Sequence, residues 1–83
     1  MDRYFFNVYN HVREIDEEGH EFASPTQARA AAVVFAGDYL SDNPHKLDIG
    51  ETFVVEVRDG RGAVVVTIQV SACEGAAAAS GTR

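Results

Sequence analysis

The sequence predicts an α+β domain: three or four strands in an antiparallel-dominated sheet with one helix packed on one face, in the order β-(β)-α-β-β. Three stretches carry that expectation. "SPTQARAAAVVFAGDYL" has the start signals and apolar spacing of a single helix. "ETFVVEVRDGRGAVVVTIQVS" alternates apolar and polar residues on either side of Asp59-Gly60, as a hairpin does. "RYFFNVY" is enriched in the aromatic and β-branched residues that strands favour. Strand order does not follow from these signals.

In the first strand, Tyr4, Phe6 and Val8 share one face by the period of two, and Phe5, Asn7 and Tyr9 share the other. Residues Asn10 to Phe22 are polar and acidic. We read a short strand around Val12 to Ile15, a turn at Glu17 to Gly19 and a brief extended piece at His20 to Phe22, with Gly19 supplying a positive φ. Ser24 then fits an N-cap, Pro25 the first helical position where its missing N–H costs nothing, and Gln27 completes a Ser-x-x-Gln capping box. The helix is expected from Pro25 to Leu40 or Ser41, ended by Asn43 and Pro44, whose ring disfavours helical geometry at the residue before it. Ala28, Ala31, Ala32, Phe35 and Tyr39 form its core stripe, with Ala36 flanking. Val33, Val34 and Leu40 fall off that stripe.

For the closing hairpin, a two-residue type I′ turn at Asp59-Gly60 sets Val55 opposite Val64; a four-residue loop, Asp59 to Gly62, sets Val55 opposite Val66. Either register leaves Phe53, Val55, Val57, Val64, Val66, Ile68 and Val70 on one face. Thr52, Val54, Glu56, Val65, Thr67 and Gln69 then share the other.

At 83 residues the chain has room for one domain, which we place at 1–73, with 74–83 a disordered Ala/Gly/Ser tail. A domain of this length buries only about 60–65% of its unfolded surface, so its core is small. The net charge is −6, and the seven bases are scattered along the chain. Binding to a phosphate backbone needs cations gathered on one face, so neither nucleic acid nor an anionic membrane is an expected partner. Cys73 is the single cysteine and has no internal partner for a disulfide. The opening residues lack a basic stretch followed by an apolar one, and the longest apolar run, Ala30 to Ala36, is far short of a membrane span. The expected location is the cytoplasm.

The stretches "RYFFNV", "DEEGHEF", "TQARAAA" and "VEVRDGRGAVVVTI", taken in order and over about residues 1 to 72, resemble a family of short bacterial proteins known only as a domain of unknown function. Its members typically begin Met-x-Arg-Tyr-Phe-Phe, carry an Asp-x-x-Gly-x-x-Phe or Leu segment before an Ala-rich helix, and finish on a Val-rich hairpin. The resemblance implies a stand-alone bacterial cytoplasmic domain, often proteobacterial, with no assigned activity and no catalytic residue to transfer. On the outer helix face, where such proteins usually carry charges, this chain has Ala31, Val34 and Gly37. That departure speaks against a monomer.

"DEEGHEF" crowds four acids and a histidine around Gly19, yet it matches no ion-binding template. A calcium loop needs a spaced run of oxygens and a distant bidentate Glu, and His11, His20 and His45 do not have zinc-ligand spacing. A carboxylate pair working as acid and base needs one member buried, whereas acids this crowded are normally solvated. Cys73 has no His at a recognisable offset, Ser24 is accounted for by its cap, and "DGRG" lacks the Lys and following helix of a phosphate loop. We therefore expect no catalytic, cofactor or metal site, and no enzyme. Tyr4, Phe5, Phe6 and Tyr9 read as core and interface, because a base-stacking platform would need a basic groove beside it.

Two surfaces remain. Phe5, Tyr9, Val54 and Val65 on the outer sheet face, with Val33, Val34 and Leu40 on the helix, exceed what a small lone domain usually exposes, and we expect a two-fold interface between copies of the chain. The alternative is an acidic regulator that neutralises a basic protein through Glu14, Asp16, Glu17, Glu18 and Glu21. A metal-dependent or small-molecule activity is the weakest of the three readings.

Overall fold

The computed structural model describes residues 1–75. In chain order they form β1 (Asp2–Tyr9), β2 (Arg13–Glu14), β3 (His20–Phe22), helix α1 (Pro25–Asp42), a short 3-10 turn (Pro44–Lys46), β4 (Thr52–Asp59) and β5 (Val64–Ser71). All the strand pairs are antiparallel, in the order β2-β1-β4-β5, and β3 shares the outer edge of β1 with β2. The expected α+β architecture is therefore present. The expected disordered tail falls, from residue 76 on, outside the described residues.

The helix begins as its local signals require. Ser24 Oγ accepts from Gln27 N–H at 3.2 Å, and Pro25 stands at the first helical turn. The reciprocal bond of the capping box is displaced by one residue, because Gln27 Oε1 accepts from Ala23 N–H at 3.0 Å instead of from the cap. At the other end Asn43 N–H and Asn43 Nδ2 both donate to Tyr39 O, closing the helix just before Pro44. Ala28, Ala32 and Ala36 form the buried stripe, and their small side chains let the backbone approach the sheet closely.

The core is that alanine stripe on Tyr4 and Val8 of β1 and Phe53, Val55 and Val57 of β4. The helix lies chiefly over β4 and β5 and also meets β3. Val66, Ile68 and Val70 lie at the edge of the sheet, with no strand beyond β5 among the described residues, and are only half-buried, while their β4 partners Val57, Val55 and Phe53 are fully buried.

The closing hairpin adopts neither expected register. Asp59 N–H donates to Ala63 O and Gly62 N–H to Asp59 O, so the loop is Gly60-Arg61-Gly62, with the positive φ at Gly62 (87°) and none at Gly60. This is a type I turn followed by a left-handed residue, the usual three-residue alternative to a type I′ pair. A bulge then falls at Val64–Val65: Arg58 pairs with Val64 but Val57 with Val66, and from there Val55 faces Ile68 and Phe53 faces Val70. The extra residue moves Val64 to the Arg58 side of the sheet, away from the core face where regular alternation placed it. Val65 correspondingly lines a hollow with Tyr4 and Pro25 at the hairpin end.

Candidate functional site

The segment Asp16–Gly19 is a structural joint built around one carboxylate. β2 pairs with Val8 and Tyr9, and β3 pairs with Asp2 to Tyr4, so the middle of β1 has no strand on its outer edge. Asp16 fills that gap. Its Oδ2 accepts from Phe6 N–H at 3.1 Å, and its Oδ1 accepts from Glu18 N–H at 3.1 Å and Gly19 N–H at 3.0 Å. Asp16 N–H in turn donates to Oδ1 of Asn7, a buried polar residue, at 2.9 Å. Partial burial opposes the charge of Asp16, but the bonds from Gly19, Phe6 and Glu18, with the nearby His20 ring, outweigh it and lower the carboxyl below its ordinary pKa. Gly19 has φ +72°, and a Cβ there would lie 2.8 Å from Tyr4 O and 2.9 Å from the side chains of Arg3 and Phe5. Both the left-handed backbone and the close approach to β1 require glycine.

This geometry corrects the expectation of solvated acids in "DEEGHEF" at Asp16 alone; Glu17, Glu18 and Glu21 are exposed, as is the preceding Glu14. Asp16 points into the joint, Glu21 pairs with Arg3 at 3.2 Å, and Glu14 Oε2 accepts from Tyr39 Oη–H at 2.7 Å. Of the five acids of the expected docking edge, Glu17 and Glu18 are the two whose carboxylates make no hydrogen bond or ion pair with a described residue. Among the described residues no three His, Cys, Asp or Glu side chains gather as a metal ligand set would.

Between this joint and the helix lies a groove of about 460 Å³ that was not legible in the sequence. Phe6, Val8, Ile15, Phe22, Ala31 and Phe35 give it apolar walls, and Glu14, Asp16 and His20 its polar rim. Phe6 stacks on Phe22 at 5.9 Å between ring centroids and meets Phe35 at 5.8 Å. Each of these rings taken alone reads as core. Only the displacement of the helix toward β5 leaves their outer surfaces uncovered. Ala31 stands on this groove wall and not on the outward helix face. The lining holds no Ser, Thr, Cys or Lys, and the rim acids Glu14 and Asp16 are engaged by Tyr39 and the backbone, so the groove is suited to holding an apolar group and carries no activated nucleophile.

The residues expected at an interface do not form one patch. Phe5, Tyr9 and Val54 are half-buried on the outer sheet face. That face is organised by a polar cluster: Glu56 Oε1 accepts from Arg58 Nε–H at 2.7 Å and from Tyr9 Oη–H at 3.1 Å, and the Arg13 guanidinium lies 5.6 Å from the centre of the Tyr9 ring. The Arg58 bond, aided by Tyr9, keeps the Glu56 carboxyl below its ordinary pKa. Leu40 packs partly against the core. Val33 and Val34 stay exposed, at 53% and 62%, on the helix and hence across the sheet from Phe5, Tyr9 and Val54.

Residues 3–71 match the model of a family described as a domain of unknown function, DUF6894. The chain belongs to this family. No curated protein and no solved structure matches it. In this DUF6894 domain Asp16 and Gly19 together close the gap in the β1 edge. No helix among the described residues is long and apolar enough to cross a membrane.

Proposed function

We propose that this DUF6894 domain is a small, non-enzymatic interaction module of the cytoplasm that works as a homo-oligomer. One observation carries the reading: a single alanine-faced helix is narrower than the apolar face of the sheet beneath it. On one flank it leaves the groove of Phe6, Phe22 and Phe35; on the other it leaves Val66, Ile68 and Val70 half-covered, and Val33 on the helix itself is exposed. Apolar surface that one small domain cannot cover is covered by association with another, and a copy of the same chain is the partner always at hand. The absence of a nucleophile in the groove and the internal engagement of Asp16, Glu14 and Glu56 favour binding over chemistry. Arg3 and Arg58 are likewise engaged in ion pairs, which disfavours a nucleic-acid surface. Light scattering after size exclusion tests this. The expected mass at micromolar concentration is a multiple of 9.0 kDa, and a single 9.0 kDa species at high micromolar concentration overturns the reading.

A further inference from the structure

We propose that the copies join edge to edge through β5, antiparallel about a two-fold axis near Ile68, so that two sheets continue as one. The proposal rests on the self-association reading above and names its interface.

The first support is the unfinished state of this edge. Among the described residues β5 pairs on one side with β4 and on the other side with no strand. Natural sheets blunt such an edge with lysine, proline, inward charges or a covering element. Val64–Ser71, "VVVTIQVS", has no charged residue and no proline over eight residues. Its one irregularity, the bulge at Val64–Val65, sits at the hairpin end and leaves Val66 to Ser71 regular.

Charge selects where two copies can meet. Two copies of a chain with net charge −6 repel over most of their surfaces, and β5 is a neutral stretch along which they approach without opposing like charges. Strand geometry selects the register. Residues on the same face can oppose each other only about a two-fold through a residue, and one through Ile68 sets Val66 against the partner's Val70 and Ile68 against the partner's Ile68. That register keeps the bulge outside the shared ladder and places apolar side chains against apolar ones on the helix side.

The helix adds the last element. Ala31 and Phe35 line the groove on one flank of the buried stripe, so Val33 and Leu40, spaced three and four residues from Ala36, lie on the flank toward β5. A helix centred over β4 and β5 sits about one strand spacing from the axis, so the two helices lie about 10 Å apart across it, a packing distance. Val33, exposed in the single chain, then faces its counterpart over the half-covered Val66, Ile68 and Val70.

The test uses the full chain carrying Thr67→Lys and Gln69→Lys together. Both residues are exposed on the outer face of β5, and Thr67 lies opposite Glu56, so the lysines are compatible with the fold of one copy. Sedimentation is expected to show the dissociation constant of the dimer raised about tenfold or more, with the circular dichroism spectrum unchanged. Val34→Glu, on the outward helix face, is expected to leave association unchanged. Association that survives the two lysines, or that Val34→Glu abolishes while the lysines do not, overturns the β5 interface and leaves self-association standing. A wild-type chain that is monomeric overturns both.

Discussion

Along β1 the outer row of backbone groups is divided among β2, β3 and the Asp16 carboxylate; along β5 the outer row meets no strand among the described residues. The first edge carries Arg13, Glu14, His20 and Glu21 on its two short strands, and the second carries no charge. A sheet edge is an association site unless something stops it, and only the β1 edge is stopped by strands and a side chain of the same chain. The β1 edge is closed from within the chain, by a turn that only glycine fits at position 19 and by a partly buried carboxylate. The β5 edge carries no charge, no proline and, among the described residues, no covering strand, and its bulge lies at the hairpin end; this is the basis of the docking proposed there.

The strongest way to break the closed edge is at its glycine. Gly19→Val places a branched side chain at φ +72° and against Tyr4 O, and the expected loss is about 3–4 kcal/mol in chemical denaturation. Asp16→Ala leaves the N–H groups of Phe6, Glu18 and Gly19 without their acceptor, with an expected loss of about 2–3 kcal/mol and faster hydrogen exchange at Phe6 than at its neighbours. The same variant should not change exchange at β5. There, amide protection on the outer side is expected to rise with protein concentration, and concentration-independent exchange contradicts edge pairing.

Acid acts on the closed edge through Asp16. The folded pKa of Asp16 is lowered, so the folded state takes up this proton later than the unfolded chain does; its contribution is complete above the unfolded pKa and is lost as pH falls through the folded one. Asp59 and Glu56 are lowered as well and act with the same sign. Wild type is therefore expected to lose more stability than Asp16→Asn between about pH 5 and pH 2, and parallel curves would show that Asp16 does not contribute. The smallest expected effect is Ser24→Ala, about 1 kcal/mol, which removes the helix cap and leaves both edges intact.

Local features were the legible ones. Ser24, Pro25 and Gln27 lie within four residues and mark the helix start by themselves, and Gly19 with His20–Phe22 marks a turn leading into a short strand. The role of Asp16 was not legible, because its partners Phe6 and Asn7 lie ten and nine residues away and become neighbours only when β1 lacks a strand at its middle. Similarly, Asp59-Gly60 and Arg61-Gly62 both offer a glycine for the hairpin turn. The Asp59 side chain decides between them by accepting from Arg61 N–H and Ala63 N–H at 2.9 and 3.0 Å. The choice moves Val64 and the register of β5 with it.

Local chemistry along the chain is therefore enough for the main elements, the helix cap and stop, and the face that β1, β4 and most of β5 turn to the core, since propensity, capping and periodicity act over a few residues. Folding as a whole set the strand order, the bulge, the position of the helix over β4 and β5, and hence which edge is closed and which, among the described residues, is open. Those depend on contacts between residues distant in the chain, and their energies are set by the space that one narrow helix leaves on a wider sheet.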